Sequence, residues 1–160
     1  MSAPGPAPER ARDSAEQARV TVDTLEGLLA PDPRGEEAEW YAAAERGVLA
    51  YTRCEACASA HLPLRPLCPA CGSTRVGTAS SAGRGSIYSV TVQRRRPAPE
   101  VPVPNVLALV DLDEGFRMLS RIEGADPDAV SIGAAVEVRF ARCHDTVTPF
   151  FVLSGPAVAR

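Results

Sequence analysis

Apolar residues repeat along this chain in two rhythms, and the change between them divides it. From Asp13 to Ala30 the positions Ala15, Ala18, Val22, Leu25, Leu28 and Leu29 recur at three- and four-residue steps, which predicts an amphipathic helix, although the β-branched run Val20-Thr21-Val22 works against it. Pro31, Asp32, Pro33 and Gly35 then break the chain. Glu36 to Arg46 combines strong helix formers with acidic residues at its start, where they suit the helix dipole, and Gly47 follows as a C′ residue. Trp40 and Tyr41 give this second helix a large anchor for packing onto a neighbouring sheet.

Beyond residue 80 the period falls to two. Ser86 to Arg95 alternates, with Ile87, Ser89, Thr91 and Gln93 on one side and Tyr88, Val90, Val92 and Arg94 on the other. Further strands are predicted at Val106–Leu112, Phe116–Ile122, Val136–Ala141 and Pro149–Leu153. Asp113-Glu114-Gly115 supplies a tight turn, and Asp126 to Val130 can form one helical turn before Gly133. Five strands with a helical insertion between the third and fourth suggest a closed Greek-key barrel of the OB type. No internal repeat is evident.

A length of 160 residues leaves room for one compact domain with accessories or two very small domains. All 17 basic residues are Arg and the formal net charge is −3, which argues against a general nucleic-acid binder. Met1 to Arg12 is crowded with Pro, Ala and charge and is expected to be disordered. No run approaches the roughly 18 to 20 apolar residues that span a bilayer, and residues 1–20 carry charges where a signal peptide needs an apolar core, so the chain reads as cytoplasmic with no membrane contact.

In a reducing compartment, paired cysteines point to metal before disulfides. Cys54-x2-Cys57, ten residues, then Cys68-x2-Cys71 is the spacing of two knuckles whose thiolates complete a tetrahedron around Zn2+. Four sulfurs close the coordination shell, so the ion is expected to be structural. The ten-residue interval has room for two short strands and a turn. Pro69 fixes the entry to the second knuckle and Gly72 permits a left-handed turn, whereas Ala58 at the matching place after the first knuckle counts against that pair. Disulfides, a redox pair and a rubredoxin-type iron site are the alternatives. His61 is a candidate fifth ligand, with a polar loop histidine as the default reading.

No catalytic residue is assigned. Cys143 stands beside His144, but neighbours on a strand point to opposite faces and rarely form a catalytic pair. Arg94-Arg95-Arg96 ends the first barrel strand and leads into a Pro-rich extended stretch; it reads as a solvated strand end or as a contact for the phosphates of a nucleotide-like ligand.

Taken in order, Glu39-Trp40-Tyr41, Tyr51-Thr52-Arg53-Cys54, Leu62-Pro63-Leu64-Arg65-Pro66, Cys68-Pro69-Ala70-Cys71-Gly72, Gly83-Arg84-Gly85-Ser86-Ile87-Tyr88-Ser89 and Ile132-Gly133 form a pattern. It resembles the family of small zinc-ribbon plus OB-fold proteins associated with acyl-CoA enzymes. That resemblance implies a mainly β chain: an N-terminal extension (1–35), a helix and lead-in strand (36–50), a rubredoxin-like zinc ribbon (51–80) and a five-stranded OB-fold barrel (81–160). It also implies an accessory subunit in a hetero-oligomer with a thiolase-like enzyme, such as an aldolase acting on a steroid side chain or other acyl-CoA, helping to form the acyl-CoA site. An accessory subunit of a hydratase or polyketide enzyme and a single-strand-binding module are the alternatives.

Overall fold

The computed structural model describes residues 32–96, 99 and 101–155. The expected disorder up to Arg12 and the helix expected over Asp13–Ala30 lie outside these residues. Helix α1 spans Glu36–Glu45, with Glu36, Glu37 and Glu39 in its first turn. It stops where the Arg46 and Gly47 amides bond back to the Ala43 and Ala44 carbonyls, with Gly47 at φ 71.

Strands β1 (Ala50–Cys54), β2 (Ala60–His61) and β3 (Val76–Ser80) form a three-stranded antiparallel sheet with β1 at its centre. The interval between the knuckles therefore differs from expectation. It carries only the two-residue β2, paired through Thr52↔His61 and Arg53↔Ala60. Pro63 and Pro66 lack the amide donors that a second strand would need. The long strands of the ribbon lie outside the cysteine pairs, before Cys54 and after Cys71.

Strands β4 (Arg84–Gln93), β5 (Asn105–Leu112), β6 (Arg117–Ile122), β7 (Ala135–Cys143) and β8 (Thr146–Leu153) close a barrel in the order β4-β5-β6-β8-β7, with β6 and β8 parallel. This is the five-stranded Greek-key arrangement of an OB fold. Ile87, Val110, Val136 and Phe151 are buried at its centre. Gly85 lets β4 approach β5, because a Cβ there would overlap the Asp111 carbonyl. Residues 126–129 form a turn closed by the Ala129 amide on the Asp126 carbonyl.

One detail of β4 departs from strict alternation. Ile87 pairs with Val110 and Ser89 with Leu109, so Tyr88 is an extra residue in a β-bulge. The bulge shifts the phase, and Val90 and Val92 join Ile87 against the core instead of facing away from it. Tyr88 stays exposed, and the Arg117 guanidinium lies 3.3 Å from the centre of its ring.

Ribbon and barrel share one core. Leu49 and Tyr51, at the start of the ribbon sheet, pack among barrel residues, and the Tyr51 ring stacks on Phe116 at 4.9 Å. Helix α1 bridges the two parts: Trp40 Nε1 donates to the Ala50 carbonyl, Thr78 Oγ1 donates to Glu39, and the Val147 amide of β8 donates to Glu45. Glu114, in the turn between β5 and β6, accepts from both Ser81 Oγ and the Ala82 amide, fixing the connection from β3 to β4.

Candidate metal centre

The two cysteine loops are copies of one backbone device. In Cys54-Glu55-Ala56-Cys57-Ala58-Ser59 the Cys54 amide donates to the Ser59 carbonyl and the Ala58 amide to the Cys54 carbonyl, both at 2.9 Å. In Cys68-Pro69-Ala70-Cys71-Gly72-Ser73 the Cys68 amide donates to the Ser73 carbonyl and the Gly72 amide to the Cys68 carbonyl, again at 2.9 Å. The sequence therefore does contain an internal repeat, six residues long and too short to stand out from composition alone. Ala58 does not weaken the first knuckle: it adopts φ 59 beside the φ 72 of Gly72. The left-handed turn forms there with an ordinary side chain, at a cost of about 1 kcal/mol.

The loops bring four sulfurs together from opposite sides. Cys54 Sγ lies 3.7 Å from Cys71 Sγ, Cys57 Sγ lies 3.7 Å from Cys68 Sγ, and all four fall within 4.8 Å of one another. A tetrahedral zinc with Zn–S bonds of about 2.3 Å requires sulfur separations near 3.8 Å, whereas a disulfide requires about 2.05 Å. All four cysteines are free, so the donor set fits one closed-shell zinc ion. Cys54 and Cys68, the first residue of each knuckle, are buried, while Cys57 and Cys71 face solvent.

Ser59 completes the surroundings, with its hydroxyl 3.1 Å from Cys57 Sγ and 3.3 Å from Cys68 Sγ. That hydroxyl is the main cause holding the Cys68 thiol down to about 6. The Ser73 amide acts in the same direction on Cys71, but hydrogen bonding with Cys57 together with burial pushes that thiol up to about 12. A cation that takes the protons' place removes this unevenness, so metal uptake releases protons.

The remaining candidates fall elsewhere. His61 sits on β2 outside the four-sulfur group, with its Nε2 buried and unbonded. Cys143 is buried at the end of β7 beside Ala141 and Phe150, and burial pushes its thiol up, which suits packing and not nucleophilic attack. Arg94, Arg95 and Arg96 are exposed where β4 ends; Arg94 donates to Asp128 at 2.6 Å and Arg96 to the Pro99 carbonyl at 2.9 Å. A cavity of about 320 Å³ opens between α1 and residues 62–64, walled by Glu37, Trp40, Tyr41, Leu62 and Leu64. Pattern reading missed it because it depends on how the helix lies across the ribbon. Burial and then the charge of Glu37 push the Tyr41 hydroxyl up.

A three-stranded ribbon with four convergent thiolates, packed on an OB barrel, defines the class. Residues 42–77 match the ChsH2 rubredoxin-like zinc ribbon domain, and residues 79–141 match the ChsH2 C-terminal OB-fold domain. A DUF35 domain-containing scaffold protein of Methanocaldococcus jannaschii is 33% identical over 108 residues, which cover 66% of this chain and 77% of that protein. The chain belongs to this family of DUF35, ChsH2-type zinc-ribbon and OB-fold proteins. Among solved structures, a chain of the Ltp2-ChsH2(DUF35) aldolase superposes with a TM-score of 0.70 at 34% identity, covering 78% of this chain and 98% of that one. A probable enoyl-CoA hydratase alpha subunit of Thermomonospora curvata is 40% identical over 101 residues, 63% of this chain. The matched stretch spans only 32% of that subunit, so the two share a module and not a whole length.

Proposed function

We propose that this chain is a non-catalytic accessory subunit. It holds one structural zinc through Cys54, Cys57, Cys68 and Cys71, docks on a thiolase-like enzyme, and helps shape that enzyme's acyl-CoA site. The observation that carries the reading is the likeness to a ChsH2(DUF35) chain of an aldolase across 98% of that chain's length. The chemistry of the metal centre supports it: four thiolates leave a zinc ion no open position for water or substrate. Among the described residues, no helix is long and apolar enough to cross a membrane.

Co-expression with a thiolase-like protein encoded beside it should give a single hetero-oligomeric peak, with turnover of an acyl-CoA only when both chains are present. Separate elution, with partner activity unchanged by omitting this chain, would overturn the proposal. Arg94, Arg95 and Arg96 are the proposed contacts for CoA phosphates, supported by their exposure at the end of β4. Replacing all three by Gln should raise KM for the acyl-CoA with little change in kcat; an unchanged KM removes them from the site.

A hydratase in place of the thiolase-like enzyme is the second reading. It is favoured by the 40% identity to the probable enoyl-CoA hydratase alpha subunit and by 45% identity over 60 residues to a 3-oxo-4,17-pregnadiene-20-carboxyl-CoA hydratase alpha subunit of Mycobacterium tuberculosis. Which of the two enzymes co-purifies decides between them.

A further inference from the structure

The knuckles share a backbone but use their serines differently. Ser73 Oγ accepts the Arg75 amide at 3.1 Å, a local turn contact. Ser59 Oγ instead approaches Cys57 of its own knuckle at 3.1 Å and Cys68 of the other at 3.3 Å. It is the one hydroxyl among the described residues with a hydrogen-bonding contact to sulfurs of both loops. Its backbone is fixed by the bond from the Cys54 amide to its carbonyl, so the side chain is anchored at the seam.

We infer that Ser59 is a positioning residue for the metal, donating its hydroxyl proton to the thiolates of Cys57 and Cys68 and so holding the two knuckles in register. Four thiolates on a divalent ion leave a net charge of −2 beside two buried sulfurs. A hydroxyl that donates to sulfur disperses that charge and restrains the ligands, as outer-shell donors do in other metal sites. Only one proton is available, so it is shared between the two sulfurs or alternates between them. Ser73 has no such duty.

The inference rests on the zinc reading, and the test keeps the two apart. Ser59→Thr retains the hydroxyl, whereas Ser59→Val has nearly the same shape without it; both branch at Cβ next to the short strand β2 and load the backbone alike. Zinc affinity is measured on the full chain by competition with a chromophoric chelator, and the release rate is measured under excess chelator. Ser59→Val should bind roughly tenfold more weakly than Ser59→Thr and release zinc correspondingly faster. Ser59→Thr should remain near the parent, and Ser73→Ala should change neither quantity. Equal affinity and release for the Thr and Val variants, with zinc bound to both, overturns the role of Ser59 alone. A parent protein that binds no zinc overturns the metal reading as well.

Discussion

The barrel and the ribbon reach a fixed structure by different means. The barrel buries Ile87, Val110, Met118, Ile122, Val136 and Phe151 in one continuous cluster, and each strand is paired on both sides. The base of the ribbon shares that cluster through Leu49 and Tyr51 and forms a small second one with α1 from Ala43, Ala50 and Leu64, but the tips of its loops bury little beyond Cys54 and Cys68. A barrel of this kind is stabilised by area removed from water, whereas the ribbon tip has almost none to remove and depends on bonds to a metal. Separate variants should therefore break one part and spare the other.

The largest effect belongs to the metal. Structural zinc in small knuckles contributes on the order of 10 kcal/mol, more than loops that bury little beyond two cysteines can lose and remain folded. Chelation, or Cys68→Ser combined with Cys71→Ser, should abolish hydrogen-exchange protection at the Cys54, Cys68 and Gly72 amides while the barrel amides near Val110 and Val136 stay protected. Continued protection of the knuckle amides in zinc-free protein would show that the ribbon does not need its ion.

The complementary variant lies in the barrel. Phe151 is fully buried, and Phe151→Ala should cost about 3–5 kcal/mol in chemical denaturation. Zinc content measured under native conditions should stay at one ion per chain. A smaller effect separates the knuckles: Gly72→Ala should destabilise by about 1 kcal/mol, and Ala58→Gly should stabilise by up to about the same amount, because both positions are left-handed. Equal signs for the two would refute the common geometry.

Acid gives the smallest effect and an order of events. The hydrogen bond from Arg117 holds the Asp111 carboxyl below its usual 3.8. An acid whose folded value is depressed contributes stability above its unfolded value and loses it as pH falls through the folded one. Thermal melts of Asp111→Asn against the parent should therefore show a small deficit near neutral pH that closes below about pH 4. Zinc is expected to leave first, because protons compete for all four of its ligands. A deficit that persists unchanged in acid would assign it to something other than the ion pair.

How much of this was legible follows from how local each feature is. The cysteine spacing is a short-range pattern, and the barrel strands show themselves locally, by alternation in Ser86–Arg95 and by short apolar runs such as Val106–Leu112 and Pro149–Leu153 bounded by turn residues. The bulge at Tyr88 left no mark, because its residue is neither Gly nor Asn and only the pairing with β5 reveals the extra position. The interval between the knuckles has room for two short strands but carries only the two-residue β2, and β1 and β3 gain definition from each other across the sheet. Tyr51 on Phe116 and Leu49 in the barrel core join residues far apart in sequence, so no window along the chain could show that the two parts share an interior.

The chain contains a single Trp, and its indole is bonded to the Ala50 carbonyl where helix, ribbon and barrel meet. The chain thereby carries an optical probe at the junction of helix, ribbon and barrel. Emission from Trp40 will redden when that junction opens to water, so the joint between the two halves can be watched in solution without attaching any dye.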